Sequence, residues 1–182
     1  MSGERLIFHI DVNSAFLSWE SVYRLSQDPD ALDLRTVPSA VGGDQKTRHG
    51  IILAKSTPAK RYGVTTGEPV AQALRKCPEL ILVPSRFELY VESSRKLIRL
   101  LEEYTPDIEK FSIDEAFLDM TGTIHLFGDP VQTADAIRNR IRDELGFTVN
   151  IGIAPNKLLA KMASDFEKPN KTHTLFSWEI PL

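Results

Sequence analysis

Apolar residues recur along the chain with two different periods, and these periods separate candidate strands from candidate helices. The run at 6–12 is rich in β-branched residues and is long enough for a strand covered on both faces. From Phe87 to Tyr104 the apolar positions follow the 3.6-residue period of an amphipathic helix. A similar pattern predicts a helix from Asn156 to about Phe166, ending before Pro169.

The remaining segments are shorter and are separated by Gly, Pro and Asp. Ser14 is expected to cap a helix, Asp129 to cap another, and Gly146 to end that second helix. The other predicted elements are helices at 15–25, 58–62, 70–76 and about 130–145, strands at 39–41, 51–54, 80–84 and 148–154, and a hairpin over 108–121.

In chain order these elements form a strand, an inserted region, a long helix, a hairpin, a second helix and a last strand. This order is typical of an α+β domain with a split βαββαβ, ferredoxin-like sheet of four antiparallel strands. The first strand and the hairpin would be central neighbours, so Asp11 is expected close to Asp114 and Glu115. The segment from roughly 15 to 81 would form a small α/β lobe.

Composition limits the class of protein. The chain has 182 residues, of which 42% are apolar and 26% charged, enough for one domain or two small ones with a proper core. The formal charge of -3 gives no overall attraction to phosphate backbones or acidic membranes. Cys77 has no partner for an internal disulfide, and no signal peptide or membrane span is recognisable, so we expect a cytoplasmic protein without a membrane partner.

Three carboxylates brought to one sheet edge would repel one another unless a cation or a proton neutralises them. Hard oxygen ligands suit Mg²⁺, and two such ions about 3.5–4 Å apart would activate a 3′-hydroxyl and stabilise a pyrophosphate leaving group. The alternative interpretation is structural: Asp11 ends a strand, and Asp114 with Glu115 forms a solvated turn.

The charges are also unevenly distributed. Seven acids and one base lie between Glu102 and Asp119, which would form an acidic edge. A basic lobe facing that edge would suit a nucleoside triphosphate with Mg²⁺, although Lys60 and Arg61 are equally consistent with a solvated helix face. The stretch 45–67 contains no acid and carries the bases Lys46, Arg48, Lys55, Lys60 and Arg61.

A second basic set accompanies the helix that begins near Asn156. Lys157 and Lys161 are four residues apart on one face, and Lys168 follows at the helix end, where it can reach a phosphate. An ordinary surface ion pair between Lys161 and Asp165 is the alternative.

Four ordered segments resemble the Y-family translesion DNA polymerases of the DinB/UmuC-like, impB/mucB/samB type. They are Ile10–Phe16 (IDVNSAF), Ala54–Val64 (AKSTPAKRYGV), Ser112–Asp119 (SIDEAFLD) and Gly152–Lys161 (GIAPNKLLAK), the last followed by Lys168-Pro169. The resemblance implies a catalytic palm at 1–14 and 82–175, with the fingers inserted at 15–81. Residues 176–182 would begin the connection to a thumb, and the thumb and little finger would be absent.

The resemblance also implies roles for individual residues. The metal-binding carboxylates would be Asp11, Asp114 and Glu115, with the Val12 carbonyl oxygen as a further ligand, holding two Mg²⁺ ions, or Mn²⁺ in their place. Phe16 would be the steric gate that clashes with a ribose 2′-hydroxyl, the alternative being a core residue of the first helix.

Triphosphate contacts are implied for Lys168 and for the fingers. Thr57 and Lys60 stand where many members have a tyrosine and an arginine that contact the triphosphate. The phosphate contacts are therefore expected to differ here, with Lys60 as one contact and Arg61 as a substitute. Asn13 stands where the family often has an acidic residue.

The implied function is DNA-directed DNA polymerase activity in DNA damage tolerance and the SOS response. A dNTP would be transferred to a primer 3′-OH on a DNA template, and a sliding clamp would bind through the absent C-terminal part. We expect the chain alone to hold DNA weakly, because few phosphates would be neutralised. The alternatives are a nucleotidyl cyclase-like enzyme and a non-catalytic polymerase-like interaction module.

Overall fold

The computed structural model describes residues 4–43 and 49–180. Contacts divide the chain into a first unit, Met1–Asn13 with Glu92–Leu182, and a second unit, Ser14–Val91. Lys46 and Arg48, predicted to belong to a basic lobe, lie outside the described residues.

Eight strands and six α-helices are found among the described residues. The strands are β1 Ile7–Val12, β2 Ser39–Val41, β3 Ala54–Lys55, β4 Ile81–Val83, β5 Ile108–Lys110, β6 Glu115–Asp119, β7 Val149–Ala154 and β8 Thr172–Thr174. The α-helices are α1 Ala15–Gln27, α2 Thr57–Arg61, α3 Val70–Lys76, α4 Phe87–Leu101, α5 Pro130–Arg140 and α6 Lys157–Ser164. None of these helices is long and apolar enough to cross a membrane.

The first unit is built on a five-stranded sheet in the order β5-β6-β1-β7-β8. β1 lies at its centre, antiparallel to both β6 and β7, and the predicted hairpin of β5 and β6 is confirmed. The sequence predicted four strands, and the structure adds β8, which pairs with β7 in parallel. The first unit is therefore a mixed α+β structure with a mixed sheet.

Gly152 in β7 explains how closely α6 approaches this sheet. A Cβ atom there would lie 1.9 Å from the Ala160 carbonyl oxygen and 2.5 Å from the Ser164 nitrogen. Since His9 is the β1 partner of Gly152, α6 covers the sheet face that carries His9 and Asp11.

The second unit contains a three-stranded sheet in the order β3-β2-β4, in which β2 and β4 are parallel. Its core includes Cys77, which is free and fully buried, as expected for an inert thiol. The other buried members of that core are Ala40, Ile52, Ala59, Val64, Val70, Ala73 and Leu80.

The boundary between the units lies at 91/92, whereas the predicted fingers end at 81. Contacts of residues 86–90 with α1, all within the second unit, account for this difference. Arg86 donates hydrogen bonds to Glu20, and the Tyr90 ring stacks on Phe16. The assignment of the palm and the fingers stays a prediction.

The predicted helix ends are confirmed in part. Asp129 caps α5 by accepting a hydrogen bond from the Gln132 nitrogen, and Gly146 ends the following π-helical turn with φ 84°. The prediction that the Ser14 side chain caps α1 was wrong. Within the described residues it precedes α1 in the left-handed region, at φ 45°, and makes no side-chain cap hydrogen bond to the helix.

Candidate active site

Three side chains form a row across the centre of the first unit's sheet. In β1, Asp11 lies opposite Glu115 of β6 on one side and opposite Asn150 of β7 on the other. Directly opposed residues of antiparallel strands point to the same face, with Cβ atoms roughly 4.5–5.5 Å apart. The predicted proximity of Asp11 and Glu115 is therefore confirmed.

Asp114 joins this row through the turn before β6. Its carbonyl oxygen accepts a hydrogen bond from the Val12 nitrogen at 3.0 Å. The Ser112 hydroxyl lies 2.8 Å from Oδ1 of Asp114 and 3.1 Å from Oε2 of Glu115. All three predicted carboxylates thus lie together near the end of β1 and the start of β6.

Two lysines pair with the facing carboxylates. Lys161 of α6 donates a hydrogen bond to Oε1 of Glu115, and Lys168 donates one to Oδ2 of Asp11. Asp165 pairs with Lys168 at 3.0 Å, so the alternative pairing of Asp165 with Lys161 was wrong. Lys157 instead forms an exposed ion pair with Glu109 at 2.8 Å.

His9 is a buried neighbour of Glu115 that was not predicted from the sequence. Its Nε2 lies 3.1 Å from Oε1 of Glu115, and its Nδ1 lies 2.7 Å from the Ser164 hydroxyl oxygen. A histidine within a buried strand reads as an ordinary core residue. The available signal was its position two residues before Asp11, which places both on the same face.

Burial and the lysines set the ionisation of this cluster. Burial raises the pKa of Asp11, and the hydrogen bond and charge of Lys168 offset this only in part. Burial acts the same way on Glu115, but the hydrogen bond and charge of Lys161 outweigh it, so the pKa of Glu115 is lowered. Burial lowers the pKa of His9 to about 4, so the ring is neutral at pH 7.

The donor chemistry of Asp11, Asp114 and Glu115 fits a hard divalent cation, since all three side chains offer only carboxylate oxygens. Over residues 4–43 and 49–180, no three His, Cys, Asp or Glu side chains approach closely enough to hold a metal ion. In the structure, the ammonium groups of Lys161 and Lys168 neutralise Glu115 and Asp11.

The predicted gate residue, Phe16, lies in the second unit on α1. Its ring stacks on Tyr90 with centroids 4.5 Å apart and 12° between the planes. The Tyr90 hydroxyl donates a hydrogen bond to the buried Glu20 carboxylate at 2.9 Å. Phe16 is only partly buried, so its ring is supported from one side without being enclosed in the core.

The predicted phosphate contacts of the second unit lie on one short helix. Thr57, Lys60 and Arg61 are all exposed on α2, which Ser56 caps by accepting a hydrogen bond from the Ala59 nitrogen. Burial, followed by the charge of Lys60, lowers the pKa of Lys55. The exposed face of α2 is therefore locally basic.

Comparison with a protein-family model shows which family the chain belongs to. The model of the impB/mucB/samB family matches residues 10–165. The chain belongs to the impB/mucB/samB family. The matched span contains Asp11, Phe16, Asp114 and Glu115, and the resemblance to Y-family polymerases drawn from the motifs is confirmed.

Curated relatives of this impB/mucB/samB chain carry polymerase names. DNA polymerase IV of Clostridium acetobutylicum is 52% identical over 176 residues, which cover 97% of this chain and 44% of that protein. DNA polymerase IV 1 of Halalkalibacterium halodurans is 48% identical over 169 residues, which cover 93% of this chain and 39% of that protein. The chain thus spans less than half the length of these two relatives.

Solved structures of Y-family polymerases share the fold. A Y-family DNA polymerase chimera matches with a TM-score of 0.84 and 28% identity, covering 96% of this chain and 49% of the other. An insertion ternary complex of Dbh DNA polymerase matches with a TM-score of 0.82 and 29% identity at the same coverage. The mixed α+β architecture of this impB/mucB/samB member is therefore that of the Y-family enzymes.

Proposed function

We propose that this chain forms the catalytic palm and fingers of a DNA-directed, translesion DNA polymerase that adds dNTPs to a primer 3′-OH. The row of Asp11 and Glu115 across adjacent central strands, with Asp114 beside it, carries the proposal. Family membership and the polymerase names of the relatives support it. The strand order β5-β6-β1-β7, with helices α4 and α5 in the connections, supports a split βαββαβ palm.

Asp11, Asp114, Glu115 and the Val12 carbonyl would hold two Mg²⁺ ions, with Mn²⁺ as an alternative. Metal ions held by these residues would supply Lewis-acid stabilisation for the attacking hydroxyl and for the pyrophosphate leaving group. The chain's own contribution is rigidity, because Asp11 and Glu115 project from paired strands and Asp114 lies in the turn directly before β6. Lys161 and Lys168 place their positive charges on Glu115 and Asp11 in the structure.

For nucleotide binding, phosphate contacts are proposed separately for Lys168 of the first unit and for the basic residues of α2 in the second unit. Lys168, freed from Asp11, would contact the triphosphate, and Lys60 with Arg61 would add charge from α2. Thr57 carries no charge and contributes at most a hydroxyl hydrogen bond. Phe16 would exclude ribonucleotides, and recruitment by a sliding clamp stays a prediction.

Primer extension by the full-length protein tests the proposal. Asp114→Ala combined with Glu115→Ala should reduce extension on the order of a thousandfold, because charge stabilisation of several kcal/mol is lost. The matched control is Asp143→Ala with Glu144→Ala, an exposed acidic pair of the first unit, which should retain activity. Full extension by the first double variant, or cyclic product from ATP or GTP alone, would overturn the proposal.

A further inference from the structure

Two asparagine side chains tie the segment that carries Lys168 to the central strands of the sheet. We name residues 164–171 the Lys168 segment. Asn150 is completely buried in β7, directly opposite Asp11, and Asn13 follows the end of β1. Neither side chain has a role in the chemistry proposed above.

Asn150 uses its whole hydrogen-bonding capacity. Its Nδ2 donates to the carbonyl oxygens of Ser164 at 2.8 Å and Glu167 at 2.6 Å. Its Oδ1 accepts from the Lys171 nitrogen and from Nδ2 of Asn13, both at 3.2 Å. An amide has two donor hydrogens and two acceptor lone pairs, and all four have partners here.

Asn13 adds a second attachment to the same segment. Its Oδ1 accepts from the Asn170 nitrogen at 3.0 Å and from the Thr148 hydroxyl at 2.9 Å. Together the two amides bind backbone groups of residues 164, 167, 170 and 171, on both sides of Lys168. The segment is thereby fixed where Lys168 reaches Asp11.

Only a neutral amide can make these contacts. A carboxylate at position 150 would have no hydrogens for the two carbonyl oxygens and would bury an additional charge beside Asp11. An acidic residue at position 13 would still accept hydrogen bonds but could not donate to Asn150. The two asparagines therefore act as a unit.

We propose that Asn150, assisted by Asn13, is a positioning residue that holds the Lys168 ammonium at the carboxylate edge, ready for the triphosphate. This inference rests on the proposed function, because it assigns a nucleotide-binding role to Lys168. Without the amide contacts the segment has more conformations, and dNTP binding bears the entropic cost of selecting one.

The functional test compares Asn150→Ala in two backgrounds by steady-state primer extension with the full-length protein. In the wild-type background KM for dNTP should rise about tenfold with a smaller change in kcat, because a misplaced phosphate ligand mainly weakens binding. In the Lys168→Ala background the same substitution should change KM less than about twofold, because the residue it positions is already missing.

Hydrogen exchange tests the attachment independently of activity. Asn150→Ala, and Asn13→Ala as a milder second variant, should speed exchange of the amides of residues 170 and 171, which donate to these side chains. The control is Thr105→Val, which removes another buried polar anchor of the first unit, a hydroxyl that donates to the Asp119 carbonyl. It should leave KM and the exchange of residues 170 and 171 unchanged.

Three results would overturn the inference: unchanged exchange in both asparagine variants, faster exchange with unchanged KM, or equal effects of Asn150→Ala in both backgrounds. A wild-type protein that extends no primer would instead overturn the proposed function, and the role of Lys168 with it. If the wild-type protein is active and Asn150→Ala leaves KM for dNTP unchanged, only the positioning role of Asn150 is contradicted.

Discussion

Each of the two facing carboxylates has its own lysine, and the two pairs differ in surroundings. Glu115 is only 17% exposed and also contacts His9 and Ser112, whereas Lys161 is 40% exposed. The ammonium therefore relieves the repulsion between the carboxylates that the sequence predicted, and part of the lysine side chain stays open to solvent. Under the proposed function, a metal ion would replace this ion pair.

Replacing Lys161 tests this pairing. Lys161→Met should lower the free energy of unfolding by about 1–2 kcal/mol in chelator, because it leaves a largely buried carboxylate without its cation. Millimolar Mg²⁺ should restore most of the loss. Urea denaturation with and without Mg²⁺ provides the measurement.

Lys157→Met is the control for that experiment, since its ion pair with Glu109 is exposed on both sides. Its cost should stay within about 0.5 kcal/mol and should not depend on Mg²⁺. Equal losses for the two variants, or a loss at Lys161 that Mg²⁺ does not reduce, would contradict the exchange of lysine for metal.

Phe16 gives a second prediction at the scale of one residue. Phe16→Ala should raise ribonucleotide incorporation relative to dNTP incorporation about 10–100-fold, because the ring that would clash with the 2′-hydroxyl is removed. Leu32→Ala, at an exposed apolar residue of the same unit, should not alter the ratio. An unchanged ratio for Phe16→Ala in single-nucleotide primer extension would show that Phe16 is a core residue of α1 and not the steric gate.

Glu68 predicts a pH dependence of stability. Burial acts to raise its pKa, but hydrogen bonds from Lys76 and the Thr65 nitrogen outweigh burial and lower the pKa below its ordinary value of 4.5. Because the folded state binds this proton more weakly, the stabilisation is present above the ordinary pKa and is lost as the pH falls.

Glu68→Gln and Lys76→Met should each reduce stability near neutral pH and flatten its decline between about pH 5 and pH 3. Urea denaturation over that range measures the slopes. Variant curves that run parallel to the wild-type curve would show that this ion pair does not contribute to the acid limb.

Among the secondary-structure elements, α6 depends most visibly on one position of a neighbouring strand. Gly152 lets α6 lie against β7 and β1, and this contact places Lys161 and Ser164 beside Glu115 and His9. The helix has a strongly apolar face, but Leu158 and Met162 are largely exposed. Its attachment therefore relies on small residues such as Ala160, on Leu159, which packs against Ile7 and Phe117, and on polar contacts.

Gly152→Ala should destabilise the protein by about 1–3 kcal/mol, because the added methyl group meets backbone atoms that cannot rotate away. Gly122→Ala is the matched control, since a Cβ atom there meets no described atom within 4 Å. Thermal or urea denaturation distinguishes the two variants. A Gly152→Ala protein as stable as the control would show that α6 can shift without cost.

Considered as a whole molecule, the fold could be predicted where apolar periodicity is strong. The bounds of β2 and α3 coincide with the prediction, and β1, α4 and β7 differ only near their ends. β8 was missed because Thr-His-Thr has neither length nor apolar alternation, and only pairing with β7 makes it a strand. Ser14 failed as a cap because its backbone turns left-handed at the junction of the two units.

The charged residues of the candidate site could be predicted from the sequence, but the buried amide of Asn150 and the imidazole of His9 could not. Acidic residues at strand ends are conspicuous, so Asp11, Asp114 and Glu115 could be grouped from topology. His9 and Asn150 sit inside apolar strands, where a polar residue carries no local sign of its partner. Their partners come from α6 and the Lys168 segment, and only tertiary packing brings these together.

The row of Glu115, Asp11 and Asn150 has a consequence for the order of folding. Its members come from the middle, the beginning and the end of the chain, so no local segment contains even two of them. Closing such long loops is slow compared with forming a helix. A nascent chain that has emerged only as far as Leu101 carries Asp11 without its cross-strand neighbours. Under the proposed function, the cation site would therefore form only after β1 has paired with β6, which lies far along the chain from β1.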